Sequence, residues 1–381
     1  MIFMKKIKVA FCLRDMQLGG VESVLIRTLD GLQKQENIDI SVITYVKVKE
    51  PIYVEYFRKH PQIKLYSLYP CSWLSTNLPH FFLWRISIHL LRDIYRNIKR
   101  IFVMRKFKDI DVFIDYHDFG FYNEFNKIRN AKKIAWFHSS IDVFVKRKFI
   151  KKFDGYDRVV VLTDEFIEYF NKNYSNQNGK LVRIYNPMDI ENVKNKSKEK
   201  FDKLDSNYFC TVARLSGDKD IITLLQGFDM FWNLNNSPDV KLVIVGDGHK
   251  KSEYQNYAWT LKSGKQIVFV GAKKNPFNYM KNARANILSS FGEGFALVLV
   301  ESASVGTLNI ASSCKCGPRE ILLDGRGGML FEPGNAKQLA QCMSDVYNNK
   351  VNIKKMVDES TKALKRFDSD KIIRQIISLI S

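Results

Sequence analysis

The sequence predicts an α/β protein of two Rossmann-like domains facing each other across a cleft, and three observations carry that expectation. Short apolar runs alternate with longer amphipathic stretches, the β, α, β rhythm of a parallel sheet covered on both faces. The rhythm pauses once, over residues 183–207, where polar and lysine-rich sequence replaces the apolar runs and reads as an interdomain linker. A chain of 381 residues, 45% of them apolar and 13% aromatic, exceeds one ordinary core and suffices for two.

In the first unit the strand candidates are KIKVAFCL (6–13), DISVITYV (39–46), DVFIDY (111–116), KIAWFH (133–138) and RVVVLT (158–163), with VESVLIRTLDGL (21–32) as the first helix. The second unit offers YFCTVARL (208–215), VKLVIVGDG (240–248), QIVFVGA (266–272), ANILSS (285–290), LNIASS (308–313) and GGMLFEP (327–333), with DIITLLQGFDMFWNL (220–234) as a helix. The expected domains are 1–187 and 188–364, the tail from 365 to 381 packing back onto the first. Open sheets of this kind bind ligands beyond the carboxyl ends of their strands, so two facing units place a ligand cleft between them.

The formal charge of +20 implies a basic surface suited to phosphate-bearing partners: nucleic acid, anionic lipid or a nucleotide-linked substrate. No zinc finger, aromatic RNA-binding signature or basic zipper supports nucleic acid. The six cysteines are scattered with nothing secretory before them, which reads as a reduced, cytoplasmic chain. Cys314 and Cys316 lack a second Cys/His cluster at zinc spacing, so no metal is expected. The apolar run of the N-terminus is cut by Arg14 and Asp15, too short for a signal core, and no transmembrane helix is expected.

Three places can carry chemistry. Gly19 and Gly20 open the first helix, where backbone can approach a phosphate or sugar closely, although the full dinucleotide fingerprint is absent. Arg214 and Lys219 lie on the loop after the first strand of the second unit; two cations there can clamp a diphosphate, or simply face solvent. The stretch SSFGEGFALVLVESASVG (289–306) brackets an apolar run with Glu293 and Glu301. Read as a helix start, it offers free N–H groups to an anion and carboxylates to sugar hydroxyls; read as a buried strand, it offers neither.

Glu293, seven intervening residues and Glu301, with EGF at the start and ESASVG at the end, resemble the Glu-x7-Glu motif of retaining glycosyltransferases of the GT-B fold, family GT4. LGGVE (18–22), IYNPMD (184–189), ARLSGDKD (213–220), LVIVGDG (242–248), VFVGA (268–272) and CGPREIL (316–322) fall in that family's order, so the resemblance covers nearly the whole chain. It implies Glu301 on the nucleotide ribose, Glu293 beside the transferred sugar, and Arg214 and Lys219 on the diphosphate. It also implies the backbone of Gly294, Phe295, Ala296 and Leu297 against sugar and phosphates, with Gly19 and Gly20 approaching from the first domain. His138 matches a position that faces the donor sugar, with His117 and Asp118 as the alternative pair. Ala296 and Asp220 stand where relatives frequently carry glycine, and Asp368-Ser369-Asp370 reads as a turn or helix cap.

The resemblance further implies transfer of a hexose or N-acetylhexosamine from a nucleotide sugar, UDP-linked rather than GDP-linked by the look of CKCGPREIL, to a lipid-linked or polysaccharide acceptor at the inner face of the cell membrane, without cofactor or metal. A catalytically idle nucleotide-sugar-binding protein and a nucleic-acid-binding protein are the rival readings. Residues 81–108 hold eight Lys or Arg against one acid among aromatic and aliphatic side chains, and 146–153 (KRKFIKKF) form a second basic cluster. Both suit an anionic bilayer surface, and a core-facing amphipathic helix with solvated charges is the alternative for the first.

Overall fold

The computed structural model describes residues 6–17, 19–69, 94, 98, 105, 107–125, 128–174, 179–200 and 207–381. Among them, two parallel sheets organise the chain. The first comprises β1 (Ile7–Leu13), β2 (Ile38–Val46), β3 (Lys64–Tyr69), β4 (Val112–Asp115), β5 (Lys132–Trp136), β6 (Arg158–Val161) and β7 (Leu181–Arg183) in the order β3-β2-β1-β4-β5-β6-β7. The second comprises β8 (Tyr208–Val212), β9 (Lys241–Val245), β10 (Ile267–Gly271), β11 (Asn286–Leu288), β12 (Asn309–Ser312) and β13 (Met329–Phe331) in the order β10-β9-β8-β11-β12-β13.

Apolar β-branched runs such as VFID and RVVV are buried on both faces, as parallel strands under helices require. Strand order reverses between β1 and β4 in the first sheet and between β8 and β11 in the second. The loops leaving these four strands therefore open at the two crevices where α/β sheets hold ligands. They carry Gly19, His117 and Asp118 on one side, and Arg214, Lys219, Glu293 and Gly294 on the other.

Two segments cross between the sheets. The first follows β7, and the second precedes the C-terminal helix Ser369–Ile380. They meet where Met188 N–H donates to Phe367 O at 3.0 Å. The polar stretch at 183–207 contains the helix Ile190–Lys196, capped by Asp189, which packs against Leu297–Ser304 of the second sheet's layer. The C-terminal helix returns to the first sheet: it packs on helix Gly20–Leu32, and Lys132 Nζ donates to Leu379 O at 2.6 Å. Asp368 caps that helix, its carboxylate accepting from Lys371 N at 3.0 Å.

Candidate functional site at the domain cleft

The segment 289–306 folds as a strand, a turn and a helix. β11 ends at Leu288, the chain turns through Ser289–Ala296, and Leu297–Ser304 is helical. Ala296 enters the helix with φ +41°, and Asp220 enters helix Ile221–Leu234 with φ +45°. Both positions thus have left-handed backbone, the conformation glycine adopts most readily. Asp220 compensates by capping, since its Oδ1 accepts from Thr223 N at 3.2 Å.

The loops after β8 and β11 are knitted together. Phe291 N donates to Asp218 O at 3.0 Å and Ser289 Oγ to Lys219 O at 2.9 Å. Lys219 Nζ lies 2.7 Å from Glu293 Oε1, which also accepts from Ser290 Oγ at 2.6 Å, so the clamp cation and the sugar-side carboxylate predicted from sequence form one ion pair. Arg214 is exposed on the same loop, which the β9 turn supports. A Cβ at Gly246, φ +150°, would lie 1.9 Å from Ala213 O.

Glu301 lies about one turn into the helix and is 17% exposed. Burial raises its pKa above the ordinary carboxylate value, and Arg27 of the first domain opposes the rise through a 3.4 Å contact. Glu293 and Glu301 therefore stand apart, each with its own cation. Phe295 turns its ring away from the cleft into a trio with Tyr185 and Phe367, one from each crossing segment, at centroid distances of 5.0 to 5.7 Å.

From the first domain, the end of β5 comes against Gly294. A Cβ there would sit 1.7 Å from His138 O, so only glycine admits this approach. The His138 ring lies 4.6 Å from the Tyr116 ring, and its Nε2 is enclosed with no hydrogen-bond partner among the described residues. Burial, with a contribution from His117, holds its pKa down to about 3, which makes it a neutral hydrogen-bonding group and not a charge facing a reacting centre. Asp118 is its anchor: its carboxylate accepts from His138 N at 2.7 Å and from Ser139 Oγ. The two sequence alternatives are thus one unit, Asp118 fixing the loop that carries His138. Gly20 abuts helix Leu297–Ser304, a Cβ there lying 3.5 Å from Leu297 Cδ1, and Glu22 is buried where the Arg214 charge reaches it.

A second seam lies beside the site. Glu320 accepts from Asp164 N at 2.9 Å and from Tyr185 Oη, and Glu165 accepts from Cys316 N at 2.8 Å, two carboxylates crossing the domain boundary in opposite directions. Cys316 packs in the first domain's core, and burial pushes both its thiol and that of Cys314 up to about 12. No group of three His, Cys, Asp or Glu placed to hold a metal occurs among the described residues.

Arg27 and this seam escaped sequence reasoning. Arg27 left a trace, because Gly20, Val24, Arg27 and Gly31 repeat at i, i+4, i+7 and i+11, one face of the helix, with a lone cation in an otherwise small and apolar stripe. The contacts of Glu165 and Glu320 lie 151 and 156 residues apart in sequence and left none.

Residues 81–108 lie almost wholly outside the described residues; of those described, Ile94, Ile98, Arg105 and Lys108 are exposed and Phe107 is buried. In 146–153 Phe149 and Phe153 are buried in the core, so that cluster presents its charge but not its rings. No helix among the described residues is long and apolar enough to cross a membrane.

Residues 192–365 match the family described as glycosyl transferases group 1. An uncharacterized glycosyltransferase of Methanocaldococcus jannaschii is 25% identical over 349 residues, covering 77% of this chain and 83% of that protein. The N-acetylgalactosamine-N,N'-diacetylbacillosaminyl-diphospho-undecaprenol 4-alpha-N-acetylgalactosaminyltransferase of Campylobacter jejuni is 27% identical over 214 residues, 56% of this chain and 57% of that one. Among solved structures, HepE of Anabaena in complex with UDP shares the fold with a TM-score of 0.77 at 17% identity, covering 98% of this chain and 99% of that one.

Proposed function

From the premise that the chain is a group 1 glycosyltransferase of the GT-B fold, we propose that it transfers a hexose or N-acetylhexosamine from a UDP-sugar to a lipid-linked or polysaccharide acceptor in bacterial surface-glycan synthesis, with retention at the anomeric carbon. The observation that carries this reading is the Lys219–Glu293 pair on the turn before helix Leu297–Ser304, with Glu301 about one turn into that helix and Arg214 exposed on the loop that carries Lys219. Supporting it, the Campylobacter relative acts on a diphospho-undecaprenol-linked glycan, and the Anabaena structure holds UDP.

In this reading Glu301 accepts from the ribose hydroxyls, and the diphosphate lies between Arg214, Lys219 and the free N–H groups of the helix start. As the bond to the sugar breaks, negative charge grows on the departing diphosphate, and two cations and the helix field stabilise it without a metal ion. A diphosphate at Lys219 competes with Glu293 for the ammonium and frees that carboxylate to orient the sugar. Neutral His138, its backbone pinned by Asp118, offers Nε2 to a sugar or acceptor hydroxyl. The exposed lysines and arginine of 146–148, with Lys151, favour an anionic membrane face where a lipid-linked acceptor resides.

The test is product formation from a panel of UDP- and GDP-sugars with membranes containing acceptor, in EDTA, followed by NMR of the new linkage. An α-linked product from an α-linked UDP donor is expected. A β-linked product, or turnover of GDP-sugars alone, contradicts the proposal.

A further inference from the structure

We infer that Arg27 is a positioning residue for the nucleotide: from the first domain it bridges to Glu301 across the cleft and fixes that carboxylate for the ribose, so that nucleotide affinity depends on the domains being together. The inference rests on the assignment of Glu301 to the ribose.

Helix Gly20–Leu32 meets helix Leu297–Ser304 at two points, Gly20 against Leu297 Cδ1 and Arg27 Nη2 at 3.4 Å from Glu301 Oε1. On either side of Arg27 the same helix face is apolar: Val24 is fully buried, and Gly31 faces Ile373 of the C-terminal helix. The guanidinium is held at its other nitrogen as well, Nη1 lying 2.9 Å from Met188 Sδ in the first crossing segment. Arg27 thus touches the first crossing and the nucleotide-side helix at once, and is 22% exposed.

The pairing engages one carboxylate oxygen. Oε2 of Glu301 accepts no hydrogen bond from any described residue, which leaves it for the vicinal hydroxyls of a ribose. An enclosed carboxylate accepts from two hydroxyls best when ionised, and Arg27 is the cation that offsets its burial. Since Arg27 belongs to one domain and Glu301 to the other, separation of the domains withdraws that support and loosens the nucleotide.

Calorimetric titration of the full chain with UDP and with 2′,3′-dideoxyuridine diphosphate tests the inference. Arg27→Ala is expected to weaken UDP about tenfold and to leave the dideoxy nucleotide within about twofold. Arg27→Lys should recover part of the loss, and Glu301→Ala should likewise weaken UDP and spare the dideoxy nucleotide, with no further loss in the double variant. If Arg27→Ala weakens both nucleotides equally or neither, while Glu301→Ala still weakens UDP alone, the inference falls and the ribose assignment stands. If Glu301→Ala binds both nucleotides as the native chain does, the ribose assignment falls and takes the inference with it.

Discussion

Gly294→Ala is the sharpest single test of the cleft. The new methyl would sit 1.7 Å from His138 O and 2.6 Å from His138 C, both backbone atoms, whereas real Cβ contacts essentially never fall below 3.0 Å. The gap has to widen by about 1.3 Å, and the His138 backbone yields little because Asp118 holds its N–H at 2.7 Å. Overpacking of this kind costs about 1–3 kcal/mol. The clash lies between domains and not within either core, so the chain relieves it by opening the cleft. The free energy then appears as a closed state depleted by about 5- to 150-fold. In a donor-saturation assay kcat/KM should fall by at least about fivefold, while the melting temperature moves by less than about 3 °C. Small-angle scattering should show a larger radius of gyration. Native kcat/KM with native dimensions would mean that these two loops do not meet in the working enzyme.

Three other outcomes follow from the same geometry. Arg214→Ala and Lys219→Ala should each lower kcat about a hundredfold with unchanged circular dichroism; near-native turnover in both would remove the diphosphate clamp. His138, held neutral down to about pH 3, should show no imidazole titration between pH 5 and 9 by NMR, and a titration centred near 6.5 would place the ring in water. Burial raises Asp115 to about 6 from its ordinary 3.8, so between those values the native state keeps a proton that the unfolded chain has released. Its stabilising contribution is full below pH 3.8 and is lost as pH rises through 6, by about 3 kcal/mol in all. Urea unfolding of Asp115→Asn should therefore be flatter over this window than that of the native chain, and parallel curves would contradict the assignment.

The two sheets were legible because buried parallel strands write themselves as apolar runs, as in KVAFCL and RVVV. The strands that sequence reading missed, β3 and β7, are the two edges of the first sheet, where only one neighbour is needed and the residues are mixed in polarity. Glu293, Glu301, Arg214 and Lys219 stood out as candidates through the resemblance of their motifs, and the structure puts Lys219 and Glu293 together on two neighbouring strand-to-helix loops. The pairing of Lys219 with Glu293, the contact of Arg27 with Glu301, and the backbone approach of His138 to Gly294 were not. Each depends on how distant loops meet in space, which no local pattern encodes. Ala296 and Asp220 lie between these cases: the resemblance marked both as departures from glycine, and the structure gives both left-handed backbone.

In the proposed function the cleft holds a nucleoside diphosphate between Glu301 and the Arg214–Lys219 loop. A crystal structure of the chain with UDP tests it most directly. Ribose hydroxyls are expected on Glu301, and phosphate oxygens within hydrogen-bonding distance of both cations and of the backbone N–H groups at Gly294–Leu297. UDP bound elsewhere, or bound in the cleft with neither cation on its phosphates, would contradict it.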